Sequence, residues 1–133
     1  MTPLTTAQSI ENSTSASLFE AARTASALAT LAETDASYDE LAAITASLYA
    51  TRAQDHLPLR ESTPDTSLPP VVDVAGVHAL AVRLDKAAEE LAQLGREATL
   101  PEEVYNRHAA ALNLRNAAIA LRNAVGPVER TAP

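Results

Sequence analysis

The sequence predicts an all-α four-helix bundle, built of two antiparallel helical hairpins joined by a Pro-rich linker. Three observations carry that prediction. Apolar residues recur every three and four positions along four stretches, each stretch is bounded by capping residues, Pro or Gly, and no segment shows the alternation of a strand. The length of 133 residues suits one domain with a single modest core. Apolar residues make up 47% of the chain, and Ala supplies nearly half of them; aromatic residues are only 3%, with Phe19 the single Phe. Alanine is the best helix former and lets helix axes approach closely, so the composition favours thin, tight packing. Leu and Val must then supply most of the burial energy, at roughly 1.5–3 kcal/mol for each fully buried side chain.

Residues 1–14 read as a flexible tail, because short polar side chains compete with the backbone for hydrogen bonds. A first helix follows over about 15–34, capped by Ser13, Thr14 or Ser15, with Leu18, Ala21, Ala25, Leu28 and Ala32 on one face. Ser37 and Glu40 form a capping-box pattern that opens a second helix over 37–55. Its Leu41, Ile44, Leu48 and Thr51 share a stripe, with Tyr38 and Tyr49 beside it. Pro58 ends that helix, and so short a turn before it makes the first two helices antiparallel.

Residues 56–70 form the linker, carrying Pro58, Pro64, Pro69 and Pro70 among Ser, Thr and Asp. Its position mid-chain favours a crossover between hairpins over a ligand for a partner's groove. The third helix, 74–98, is capped by Asp73. Val77, Leu80, Leu84, Ala87, Leu91, Leu94 and Ala98 line one side of it, and Asp85, Lys86, Glu89, Glu90 and Gln93 the other. Thr99 is the expected cap of the fourth helix, 101–125, with Pro101 in its first turn and Glu102 and Glu103 at its positive end. Gly126-Pro127 stops it, and 127–133 is a C-terminal tail. The bundle domain thus spans 15–126.

The fourth helix is the most informative. Leu114-Arg115-Asn116-Ala117 recurs seven residues later as Leu121-Arg122-Asn123-Ala124, which keeps each residue type on nearly one face. Leu114, Ala118, Leu121 and Val125, with Ala111 and Ala117, form a seam toward the core. Leu112 and Ile119 lie on the far side, with His108, Arg115 and Arg122 running between the two seams. Residues 104–125 contain no acid. Leu112 and Ile119 either pack on another helix of the same chain or form an apolar patch flanked by Arg, open to a second copy or another protein. Leu112, Ile119, His108, Arg115 and Arg122 are therefore the candidate partner surface.

The net charge of −7 disfavours nucleic acid and anionic membrane as partners. The charge is uneven, with nine acids against three Arg before residue 67 and near balance after it. The chain has no Cys, which excludes disulfides and thiolate chemistry. Met1 to Ser17 holds no basic residue, so no secretory signal is expected there, and no apolar run reaches the roughly 18 residues of a membrane span. A cytoplasmic location follows as the expectation. Nine Arg against one Lys in so Ala-rich a chain points to a GC-rich bacterial genome.

Gly76, Gly95 and Gly126 form no phosphate loop, and His56, His78 and His108 each lack the Glu three residues earlier that a helical di-metal site needs. His78 and Asp85 share a helical face, which allows a contact but more simply describes two solvated groups. Glu102, Glu103, Tyr105, Asn106, Arg107 and His108 are the densest polar cluster, yet acids at a helix start are ordinary dipole chemistry. No catalytic residue, cofactor or metal is expected. The expected function is non-enzymatic: a regulatory or assembly protein presenting helix faces to a protein partner or a second copy. Two alternatives stand beside it. One is a nucleic-acid accessory protein using Arg107, Arg115, Arg122 and Arg130; the other is a small-ligand or enzymatic bundle.

Overall fold

The computed structural model describes residues 5–58 and 68–127. Its first helix, α1 (Thr6–Ala32), begins nine residues before the expected start. Thr5 caps it: the hydroxyl accepts from the Gln8 amide at 3.1 Å, and the Gln8 side chain accepts from the Thr5 amide at 3.0 Å. This reciprocal cap satisfies two orphan donors, and Ile10 packs on the core edge. The Ser- and Thr-rich stretch to residue 14 is thus a helix and not a tail. Residues 1–4 and 128–133 lie outside the described residues, as does most of the Pro-rich linker.

The turn after α1 also differs from expectation. Asp35, not Glu40, takes the Ser37 hydroxyl and amide, at 2.6 and 2.9 Å, and those bonds hold its carboxyl below the usual carboxylate range. Asp39 then caps α2 (Glu40–Asp55) by accepting from the Ala42 amide, so this helix starts three residues late. The third helix, α3 (Val74–Glu97), is capped by Asp73 through the Gly76 amide, as its sequence predicts. The last, α4 (Pro101–Val125), has the predicted bounds, but Leu100 stands at its cap position with no side-chain bond, so Thr99 does not cap it. Gly126 ends α4 at a φ of 76°, a conformation that costs L side chains and not Gly.

The helices form the two predicted hairpins, α1 with α2 and α3 with α4, and the hairpins join chiefly where α2 meets α4. Viewed down the axes, α1, α2, α4 and α3 occupy successive corners of a square, with α1 against α3 more loosely. Gln54 and Ser15 lock α1 to α2 by two reciprocal bonds of 3.0 and 3.2 Å. The predicted core faces of α1, α3 and α4 all turn inward, with Leu18, Leu28, Val77, Leu80, Leu84, Leu91, Leu114 and Leu121 fully buried.

The second helix is the exception. None of the largest fully buried side chains belongs to it. Its core face is Ala43, Ala46, Ala50 and Ala53, all essentially without exposure, while Leu41, Ile44 and Leu48 are 74%, 51% and 48% exposed. The apolar stripe read from the sequence exists, but it points away from the core. The reason is steric. The buried residues of α2 are all Ala, α4, which packs against it, also buries several Ala, and small residues on both sides favour a close approach of the two axes. Leu in the same place would hold the helices apart.

Two expected outcomes test this packing. Ala50→Leu overfills the seam and costs about 1–3 kcal/mol, whereas Ile44→Ala stays within about 0.5 kcal/mol; urea denaturation of both variants reads the difference. Thr24 is fully buried and its hydroxyl has no partner among the described residues. Thr24→Val keeps the shape, removes the unpaired hydroxyl and raises stability by about 1 kcal/mol in the same assay.

Candidate interaction face

Because α2 and α4 run antiparallel, their register can be read from two bonds. At one end the Asp39 amide donates to the Ala124 carbonyl at 2.9 Å. At the other, His56 Nδ1 and Asn106 Oδ1 are 3.0 Å apart, and the Tyr105 ring meets the His56 ring edge-on. Leu41 therefore lies within a turn of Ile119, and Leu48 within a turn of Leu112. Leu112 and Ile119 are 60% and 54% exposed, so the far seam of α4 is surface and does not pack on another helix of the chain. Leu41, Ala42, Thr45 and Tyr49 from α2, with Asn116, Ile119 and Ala120 from α4, line an open groove of about 570 Å³. Leu41 and Ile119, one from each exposed stripe, are among its lining residues.

The remaining predicted surface residues separate into two groups. Arg115 is exposed and pairs with no carboxylate among the described residues. Arg122 is half-buried and donates to Asp85 of α3 at 2.6 Å. His108 is exposed, but its ring lies on the bare backbone of Gly95, where a Cβ would come within 2.9 Å of Nε2. The row His108, Arg115, Arg122 thus runs along the α3 side of the exposed seam and is partly tied to α3. The proximity of His78 to Asp85 suggested by the sequence is not realised as a bond. Asp85 pairs with Arg122, and His78 Nε2 donates to the Gly126 carbonyl at 2.7 Å.

The polar cluster at the start of α4 is engaged in structure too. Arg107 donates to the Leu94 carbonyl at 3.2 Å and sits 3.8 Å from Glu103, and Asn106 holds His56. A polar hollow of about 310 Å³ beside it gathers Glu11, Asp55, His56 and Glu103. A larger groove of about 600 Å³, between α1 and α3, is lined by Ser9, Ser13, Ser17 and Thr14 with Arg83 and Lys86. Arg83 is paired there with Glu20 at 3.0 Å. Among the described residues no three His, Asp or Glu side chains gather as metal ligands, and no helix is long and apolar enough to cross a membrane.

Leu41, Ile44 and Leu48 were not singled out as surface by sequence reasoning. The signal was present in the competing stripe of Ala43, Ala46, Ala50 and Ala53, which has the same helical spacing. Two opposed apolar stripes on one helix mean that one of them is left outside, and only the neighbours decide which. Comparison with protein-family models, with curated proteins and with solved structures finds no match.

The Asp85–Arg122 pair is about one-third exposed, so its contribution is small despite its short distance. In a double-mutant cycle with Asp85→Ala and Arg122→Ala, the coupling should be no more than about 1 kcal/mol. It should shrink further in about 1 M salt, where screening is nearly complete; thermal melts of the four proteins measure it.

Proposed function

We propose that this chain is a non-enzymatic interaction protein, a regulatory or assembly component that works by presenting the outer face of α2 and α4 to another protein surface. The observation that carries the reading is the inverted second helix. Leu41, Ile44 and Leu48 stand outside while the fully buried residues of the helix are all Ala, and Leu112 and Ile119 stand outside on the adjoining helix. Single exposed apolar residues mean little, but five gathered on two neighbouring helices form a patch of the kind that marks interaction sites. They are between about half and three-quarters exposed, so burial by a partner would contribute on the order of 1 kcal/mol apiece. That sum is modest against the cost of association, which points to reversible binding. Arg115 at the rim and Tyr49 and Tyr105 at the surface belong to residue types enriched in interfaces. The Arg- and Ala-rich composition favours a bacterial setting for this role, which we place in the cytoplasm.

The reading of α4 as a nucleic-acid surface has less support. Arg122 and Arg107 are engaged within the fold, Arg130 lies outside the described residues, and a single free Arg115 gives no phosphate track. The small-ligand reading would have to use the hydroxyl-lined groove between α1 and α3, where Arg83 already has its carboxylate.

Site-specific photo-crosslinking in cells tests the proposal. A photoreactive residue replacing Leu48 or Leu112 should give a discrete protein adduct, whereas the same residue at Val82, equally exposed on α3, should give none. Absence of a discrete adduct at both Leu48 and Leu112 would sink the reading.

A further inference from the structure

We propose that the groove between α1 and α3 is a separate binding site, for a small phosphorylated polyol. In the square of helices, α1 and α3 form the edge opposite α2 and α4, so this site and the interaction face point away from each other.

The first support is the state of the hydroxyls. On α1 and α2, Thr30, Thr45 and Thr51 each donate to the carbonyl four residues earlier, at 3.2, 2.8 and 3.0 Å. Ser9, Ser13, Thr14 and Ser17, which line the groove, make no such bond and have no partner among the described residues. Thr14 matters most. It is only 2% exposed, so its hydroxyl has lost most of its water and gained no protein partner in return. A ligand oxygen in the groove would supply the missing bond. The hydroxyl face also continues beyond the groove. Thr6, Ser13, Ser17 and Thr24 follow one another at seven, four and seven residues, the spacing of one helix face, and Thr24 is the buried hydroxyl without a partner. Ser and Thr are poorer helix formers than Ala, so a hydroxyl face in so Ala-rich a chain runs against local preference.

The second support is the charge on the opposite wall, where α3 contributes Arg83, Lys86 and Glu90. Lys86, the only Lys of the chain, is exposed and pairs with no carboxylate among the described residues. Arg83 pairs with Glu20 across the seam at 3.0 Å, but these side chains are 51% and 36% exposed. So exposed a pair is worth little, and a dianion can take the place of the carboxylate. α1 and α3 run antiparallel, and the Arg83–Glu20 pair brings Lys86 within a turn of Ser17 and Glu90 within a turn of Ser13.

These groups select a ligand with two different ends. A phosphate monoester between Arg83 and Lys86 accepts charge-assisted bonds from both and a further bond from Ser17. The attached polyol runs along Ser13 and Ser9, and its hydroxyls donate to Glu90. An ionised carboxylate only accepts, so Glu90 favours hydroxyl groups at that end and opposes a second phosphate. The volume of about 600 Å³ lies within the range of small-molecule sites. The groove is open to solvent along its length, so the dissociation constant should be on the order of millimolar.

A heteronuclear NMR titration of the isotope-labelled full chain tests the site, with sorbitol monophosphate, phosphorylated at one end, as the probe at low ionic strength. The amide signals of Ser9, Ser13, Ser17 and Lys86 should move and saturate, while those of Leu48 and Leu112 stay fixed. Inorganic phosphate should bind about ten-fold more weakly than the probe, because it lacks the hydroxyl chain. Lys86→Gln should weaken the probe about ten-fold and Ser13→Ala about three-fold. Glu20→Gln should tighten it about three-fold by releasing Arg83, an outcome that loss of structure does not produce. No movement of the groove signals at about 20 mM probe overturns the site. Inorganic phosphate binding as tightly as the probe overturns the polyol, and an affinity unchanged in both Lys86→Gln and Glu20→Gln overturns the assignment to this groove.

Discussion

Everything else in this fold is arranged around the close approach of α2 and α4. Ala43, Ala46, Ala50 and Ala53 are the buried residues of α2, and Ala110, Ala117 and Ala124 are among those of α4, the helix it packs against. Such a seam gains through many short dispersion contacts and little through area, since each Ala buries so few atoms. The large side chains of the core consequently come from α1, α3 and α4. Since the fully buried residues of α2 are all Ala, Leu41, Ile44 and Leu48 are left outside and only Tyr49 adds a large, partly buried side chain.

Histidine fixes this arrangement at the helix ends. His56 ties the end of α2 to the first turns of α4 through Asn106 and the edge of Tyr105. His78, near the start of α3, reaches the Gly126 carbonyl just past the end of α4. His108 lies on the bare backbone of Gly95 near the end of α3. The fourth helix is thus held at both ends and pressed along its length by two neighbours. Three imidazoles of a kind often associated with catalysis act here as clamps between helices. Polar groups in this protein mostly orient the elements, and the reactive-looking cluster around Glu103 and Arg107 does the same by bonding the Leu94 carbonyl.

The asymmetry of charge follows the same division. Acids gather in the first half, at the turn and caps leading into α2, while the second half of α4 is basic. Asp39 caps α2 and stands beside the end of α4. The acidic start of α2 thus lies beside the basic end of α4, whose Arg122 finds its own carboxylate in Asp85 of α3. Such complementarity adds little to the stability of one copy, because exposed pairs are screened by water.

The sequence by itself determined the class of fold, the number of helices, the bounds of α3 and α4 and the inward face of three helices. Those follow from local rules: periodicity, Pro and Gly punctuation, and a 24-residue helix with a single apolar stripe admit one reading. It also placed Leu112 and Ile119 opposite the core seam of α4. Two things only the tertiary structure decided. The start of α1 depended on a reciprocal Thr5–Gln8 cap outweighing the low helix propensity of Ser and Thr, a balance that packing of Ile10 helps to tip. The orientation of α2 depended on what stood next to it. Its Leu stripe and its Ala stripe have equal periodicity, and hydrophobicity alone favours burying Leu. The adjacent Ala of α4 reverses that choice, because the space between two close-packed helices accepts methyl groups and excludes isobutyl ones.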